Sequence, residues 1–286
     1  MHSVSTFARQ CWAGLRVLLV LTVIVGVLYP LGVTLIAQLP GLRDRANGSQ
    51  LQVNGEVVGS RLLGQSYTDK DGNTLPQYFQ SRPSAVSYDP TASGASNLGP
   101  ESIVDKSGSP SLLTQVCTRS LAVGKLDGVD GSRPFCTPGG VGAVLAVFYT
   151  GPGYAGAITH VVSVNELCPT TPFITRYRGV QVACAKKGAN YAQGRIVAVR
   201  GDALAHPAVP ADAVTASGSG LDPDISTAYA RIQEARVAAA RHTTIANIRR
   251  LVADYTTQRF LGFVGEPYVN VLQLNVALDT AYPTRA

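Results

Sequence analysis

Residues Val17–Leu39 read VLLVLTVIVGVLYPLGVTLIAQL, 23 residues without a charge. At about 1.5 Å of rise per residue they make roughly 34 Å of helix, enough to cross a hydrocarbon core about 30 Å thick. Pro30 and Gly32 would break a helix in water. In a bilayer they are tolerated as a local kink, since the neighbouring backbone bonds have no water to exchange with. A buried core helix of this length with no polar face is the less favoured alternative. A cleaved secretory signal would carry an apolar core of only about 7–15 residues ending at small residues, and no such site stands near Ala37. Residues 17–39 are therefore expected to be a membrane anchor, preceded by a tail of residues 1–16.

Working outward, the chain has 286 residues, 45% of them hydrophobic and 15% charged. That suits a folded domain with one membrane segment and argues against a multi-span transporter or a disordered chain. Orientation is not given by charge. Arg9 and Arg16 precede the span, Arg43 and Arg45 follow it, and the two sides tie. The cysteines are more informative. Cys11 lies in the tail, while Cys117, Cys136, Cys168 and Cys184 lie far downstream. They form no C-x-x-C pair, and the nearest histidines are His160 and His206, so zinc spacing is absent. Two disulfides are the expectation, in one of three connectivities. Disulfides persist in an oxidising compartment, which places the large domain outside and the N-terminus in the cytoplasm.

Beyond the anchor the chain falls into pieces. Val53–Asn54–Gly55–Glu56–Val57 carries the Asn-Gly signal of a hairpin. Ser81–Pro100 is crowded with Gly, Ser, Asn and Pro, as expected of an ordered loop. Residues 106–205 hold four of the five cysteines, apolar runs at Val141–Thr150, Ile158–Val164 and Arg195–Val199, and ten Lys or Arg against four Asp or Glu. The whole formal excess of +6 sits there, so this reads as a basic, disulfide-bonded, β-rich insert suited to anionic lipid headgroups or envelope polymers. Residues 40–105 and 206–286 form the domain that carries it. Ser226 is expected to cap one helix running to about Arg241 and Thr244 a second, with Ile245, Ile248, Val252 and Tyr255 along its buried stripe. Leu272–Leu278 fits a strand by alternation and a helix by three-to-four spacing. The fold class is thus a single transmembrane helix followed by an extracytoplasmic α+β domain with a β-rich insert.

The chemical motifs come to little. Asp105–Lys106–Ser107–Gly108–Ser109 and Asp69–Lys70–Asp71–Gly72–Asn73–Thr74 loosely resemble a phosphorylated-aspartate motif, but lack its threonines and read as polar turns. The second has Thr74 where a calcium loop needs its sixth-position glycine. Ser217–Gly218–Ser219–Gly220 offers backbone N–H groups ahead of the Ser226 helix without the Lys of a phosphate-binding loop. A G-x-S-x-G elbow is missing, and His2, His160, His206 and His242 stand in no catalytic or metal spacing. The residues alone indicate no reaction, no metal and no cofactor. They leave open an anchored envelope-binding domain or an enzyme unrelated to transport.

Several runs together resemble the C-subunit family of the Kdp potassium-transporting ATPase. In order they are Leu63–Gly64–Gln65, Tyr78–Ala85, Ser93–Pro100, Val209–Pro223, Leu261–Pro267 and Val269–Asp279. With the anchor they cover about two-thirds of the chain. Ala95 departs from the family's usual second glycine, and Asp224 from its usual histidine. The resemblance implies a non-catalytic accessory subunit of an ATP-driven potassium uptake complex. Its implied partners are a channel-like potassium-binding subunit, a P-type ATPase subunit and membrane lipid, with no nucleic acid. It further implies that ATP and potassium are handled by those partners, the C subunit acting as a chaperone that raises ATP affinity. Ser93, Gly94, Ser96 and Asn97, with Thr215, Ser217, Gly218, Ser219, Gly220, Asp222 and Pro223, are the candidates for a partner-facing or fold-defining surface.

Overall fold

A computed structural model describes residues 2–284 of the chain. They divide into two compact units, one ending at Ser60 and the other beginning at Arg61.

In the first unit, α1 (His2–Val23) passes through a π-helical turn, Ile24–Leu28, into α2 (Tyr29–Ala37). The stretch Thr6–Ala37 is long and apolar enough to cross a membrane, and none of its apolar window is buried. The π turn has a local cause. Pro30 lacks an N–H and its ring crowds the carbonyl four residues back, at Gly26. Widening the turn, with Tyr29 N–H bonded to the Ile24 carbonyl, lets the helix continue. Thr34 Oγ1 donates to the Pro30 carbonyl at 2.8 Å. The kink expected at Pro30 is therefore a single bulge within one helix. Residues 2–16 of the expected tail belong to that helix too, where the Arg16 guanidinium lies 5.2 Å from the Trp12 ring centroid; Met1 lies outside the described residues. A short helix, α3 (Arg43–Ala46), leads to the hairpin of β1 (Gln50–Val53) and β2 (Glu56–Ser60), paired antiparallel. Asn54 and Gly55 take φ of 51° and 86°, the left-handed pair that a two-residue hairpin turn requires. By packing, this hairpin groups with the helix unit and not with the domain that begins at Arg61.

The second unit opens with a long irregular segment and then α4 (Leu112–Asp127), capped by Ser111, whose hydroxyl accepts from Thr114 N. Next come β3 (Val144–Tyr149), β4 (Ile158–Leu167), β5 (Arg176–Tyr177), β6 (Val180–Ala185) and β7 (Arg195–Ala198), which form one sheet in the order β5-β6-β4-β3-β7. β3 lies between β4 and β7 and is covered on both faces. Leu145 and Val147 pack with Val161 and Val182 on one side, Val144 and Ala146 with Val164 on the other. That double burial explains an unbroken apolar run where a half-exposed strand would alternate.

Disulfides join Cys117 to Cys136 and Cys168 to Cys184, leaving Cys11 as the free cysteine. The first ties α4 to the loop entering β3; the second joins the end of β4 to β6.

The remainder holds β8 (Asp224–Ser226), α5 (Thr227–Ala240), α6 (Ile245–Asp254), β9 (Thr256–Thr257), β10 (Tyr268–Asn270) and α7 (Val271–Ala281). Its strands form a small sheet, β8-β10-β9. Ser226 and Thr244 cap α5 and α6 as expected, accepting from Tyr229 N and Asn247 N. Leu272–Leu278 is helical, and Asn270 caps it by accepting from Gln273 N. The α6 stripe is shorter than its pattern. Ile248 and Val252 are buried, while Ile245 and Tyr255 at its ends are exposed.

The principal core gathers Phe79, Ile225, Tyr229, Ile248, Val269, Leu274 and Leu278 among others. Val116, Val123 and Val129 pack against it, whereas Leu113 packs on the sheet. α4, read from sequence as part of the insert, thus joins the insert to the main core.

Candidate functional site

The two glycine-rich loops singled out in the sequence meet. Gly94 N donates to the Ser219 carbonyl at 2.9 Å and Ser93 Oγ to the same oxygen at 3.3 Å. Ser84 Oγ donates to the Gly220 carbonyl at 2.6 Å and accepts from Val86 N and Tyr88 N, and Gly64 N donates to the Leu221 carbonyl at 2.8 Å. Arg82 pairs with Asp222 at 2.9 Å and reaches the Thr215 carbonyl. Segments far apart in the chain are clasped here by main-chain bonds, so glycine is required where a side chain would intrude. Gly220 has φ +70°, and a Cβ there would lie 2.6 Å from Val86 Cγ2 and 2.8 Å from the Gly94 carbonyl. A Cβ on Gly64 would overlap the Tyr88 ring and the Asp222 carbonyl. Burial pushes the Tyr88 phenol up to about 12, so it stays protonated and donates to the Arg82 carbonyl at 2.7 Å.

The candidate residues separate by what they touch. Thr215, Gly220, Asp222 and Pro223 are spent on the fold. Thr215 Oγ1 donates to the Ala211 carbonyl, Asp222 holds Arg82 and accepts from Asp224 N, and the Pro223 carbonyl accepts from Val271 N. Ser217 Oγ accepts from Gly220 N and Ser219 Oγ from Leu221 N, which shapes the tip of the loop. Gly218 at that tip is exposed with open space around it, and Ser96 and Asn97 are exposed on the facing loop.

The Tyr78–Ala85 run is held in a different way. Asn275 brackets Phe79, accepting from its N–H and donating to its carbonyl, both at 2.9 Å. Gln233 does the same for Gln80. Two buried amides thus stand in for a neighbouring strand, and Phe79 fills the core between them. Beneath, Arg236 pairs with Asp127 at 2.7 Å and donates to the Pro76 and Tyr78 carbonyls. Burial raises the Asp127 carboxyl above its ordinary range despite that partner. Burial also raises Asp224, offset in part by the hydrogen bond from Asn270.

The rejected motifs are polar turns. Asp69 accepts from Asp71 N, Asn73 N and the Asn73 side chain, which hold its carboxyl below the usual range. Asp105 accepts from Ser111 N and Oγ. Among the described residues no three His, Cys, Asp or Glu side chains gather as a metal site.

Sequence reasoning missed one surface feature. Phe260, Leu261, Phe263 and Val264 project from a tight turn, Phe260 and Phe263 being 70% and 74% exposed. Reciprocal bonds between Phe260 and Val264 at 2.9 Å hold the turn, and Arg259 pairs with Glu266 at its base at 2.6 Å. The signal was available in the unbroken apolar run between two charges.

The family profile described as K+-transporting ATPase, c chain, matches residues 11–120 and 181–280. The chain belongs to the KdpC family. It is the KdpC subunit of the Kdp potassium-transporting ATPase complex, a non-catalytic accessory subunit whose partners are other Kdp subunits. Among curated relatives, the KdpC subunit of Streptomyces avermitilis is 36% identical over 291 residues, covering 99% of each chain. That of Kineococcus radiotolerans is 37% identical over 283 residues, covering 98% of each, and that of Mycobacterium tuberculosis 34% over 273 residues, covering 95% of this chain and 98% of its own. The KdpC profile passes over residues 121–180, yet these relatives align along nearly their whole length, so they carry a segment of comparable size. The Gly64, Tyr78–Ala85, Ser93–Pro100 and Val209–Pro223 runs all fall within the KdpC match.

Proposed function

We propose that this KdpC subunit is a single-pass membrane protein with its N-terminus in the cytoplasm and its large domain outside, where it assembles with a channel-like potassium-binding subunit and a P-type ATPase subunit. The observation that carries this orientation is the pair of disulfides in the second unit, since such bonds persist in an oxidising compartment. This chain holds no cofactor of its own; ATP and potassium belong to the partners, and nucleic acid is not one of them. Any rise in the ATP affinity of the catalytic subunit is then a coupling free energy, transmitted through the anchor or the partner subunits.

Within the clasp, the buried residues define the fold, and the exposed tip at Gly218–Ser219 with Ser96 and Asn97 is the part left for a partner. The apolar turn at Phe260–Val264 is a further patch for another Kdp subunit to cover, since contiguous exposed apolar side chains mark interaction surfaces. Membrane lipid surrounds the anchor.

Protease added to intact spheroplasts is expected to digest the large domain and leave α1. A domain protected until the membrane is broken overturns the orientation. Deleting the chain is expected to abolish growth at limiting potassium and spare growth at high potassium, with partner subunits lost from purified complexes. Growth at limiting potassium without it removes the assembly role.

A further inference from the structure

A cleft of about 820 Å³ opens between two walls of the insert that are remote in sequence. One wall is the turn at residues 105–110 and the other the loop at residues 186–192. Lys106 comes from the first; Lys186 and Lys187 come from the second. The floor is apolar, with Val104, Val164, Leu167 and Ile196. This composition differs from an ordinary solvated basic face, in which long cations lie over convex surface.

The polar groups near the floor are already committed. Asn165 accepts from Asp105 N and donates to the Ile103 and Gly142 carbonyls. The Asp105 carboxylate, the only acid in the lining, is turned to Ser111 N and Oγ at 2.8 and 2.6 Å. The three lysines, by contrast, have no carboxylate within ion-pair distance among the described residues.

Both walls are fixed. Lys106 and Ser109 exchange main-chain bonds at 2.9 and 3.0 Å. On the other side Lys186 N donates to Tyr191 Oη at 2.8 Å, and the Cys168–Cys184 bridge with Cys168 N on the Ala185 carbonyl holds the strand end. The site is thus preformed and would lose little ordering entropy on binding.

We infer that this cleft binds phosphodiester anions, its three lysines taking the phosphates and its apolar floor the carbon body between them. Lysine acts on phosphate as a compact point charge, without the planar fork by which arginine grips a carboxylate in two places. The cleft is far larger than one phosphate and falls in the size range of organic-ligand sites. Three ammonium groups also exclude a metal cation. The chemistry is shared by anionic lipid headgroups and by glycerol-phosphate polymers of a cell envelope. The anion chemistry of the cleft is independent of the membrane orientation, whereas a polymer source rests on the outward orientation proposed above.

The test uses the full chain in nanodiscs of zwitterionic lipid. Two soluble probes are titrated, a glycerol-phosphate oligomer and a short-chain phosphatidylglycerol below its micelle concentration. Saturable binding of either supports the cleft. The oligomer alone identifies a polymer as the source, and the lipid alone a headgroup. The triple variant K106Q/K186Q/K187Q is expected to weaken binding about tenfold or more, whereas R176Q/R178Q/R200Q, which removes the same charge from exposed positions elsewhere on the insert, weakens it less than about threefold. Near-ultraviolet circular dichroism of the tyrosines confirms that both variants keep the fold. Equal losses in the two variants mean only a diffuse field acts, and binding that survives the cleft triple, or no saturable binding of either probe, overturns the assignment.

Discussion

Replacing Gly220 by alanine separates fold from contact in the clasp. At φ +70° a Cβ costs about 1–2 kcal/mol of backbone energy. Forcing that Cβ in at 2.6 Å from Val86 Cγ2 and 2.8 Å from the Gly94 carbonyl adds about 1–3 kcal/mol, because the carbonyl is main chain and cannot swing aside. The less flexible unfolded chain returns about 0.4–1 kcal/mol. The net expectation is a loss of about 1–5 kcal/mol, or a fall of roughly 2–18 °C in Tm for a domain of this size. Gly218→Ala is the companion. That position has no left-handed φ and open space around it, so its stability is expected to move by less than about 0.5 kcal/mol. Trp12, the only tryptophan, lies in α1 and does not report on the domain, so the melt is followed by tyrosine circular dichroism on the full chain in detergent. If Gly220→Ala melts with the wild type, or Gly218→Ala falls as far, the clasp is not what requires glycine and the division between fold and surface fails.

Three further outcomes are expected. Arg236→Met strands the Asp127 carboxylate, which is 1% exposed beside a guanidinium that is 7% exposed, and is expected to cost about 3–5 kcal/mol. Adding Asp127→Leu should recover more than half in urea denaturation, and a double variant no better than Arg236→Met alone refutes the pairing. Asp224 has a folded pKa raised by burial, so its contribution to stability is full below the unfolded carboxyl pKa and lost as pH rises through the folded one. The Tm advantage of Asp224→Asn over wild type should therefore grow from pH 4 to pH 7; comparison within one background is needed because Asp69, Asp89 and Asp130 are shifted downward and slope the other way. Phe260→Ser with Phe263→Ser removes exposed rings, so it should leave Tm within about 1 °C while lowering recovery of the other Kdp subunits on affinity purification. Full recovery excludes the turn from the interface.

Much of the architecture was legible because its signals are local. The Asn54–Gly55 turn, the Ser226 and Thr244 caps and the central run of β3 each announce themselves within a few residues. α4 escaped because the residues it buries, Thr114, Cys117, Ser120, Gly124 and Asp127, carry no hydrophobic period. Thr114, Ser120 and Gly124 are buried because the 129–142 loop lies directly on the helix, and Asp127 because Arg236 packs over it. Ser120 Oγ donates to the Gly131 carbonyl, and a Cβ on Gly131 would meet the Ser120 carbonyl at 2.7 Å. Small and polar residues there serve a close approach that no pattern in one segment can reveal.

The sequence by itself determined the long apolar N-terminal helix, the cysteine-bearing β-rich stretch and the family, since an uncharged run, a set of cysteines and a series of ordered motifs need no partner to be recognised. The tertiary structure decided which cysteines pair, that Leu272–Leu278 is a helix, and that Ser84, Gly64 and Arg82 close on the Thr215–Pro223 loop. It also decided which residues of that loop are spent inward and which remain free. Those outcomes depend on what stands opposite each residue. Contact across more than a hundred positions is set by packing of the whole domain, on which a local sequence carries no information.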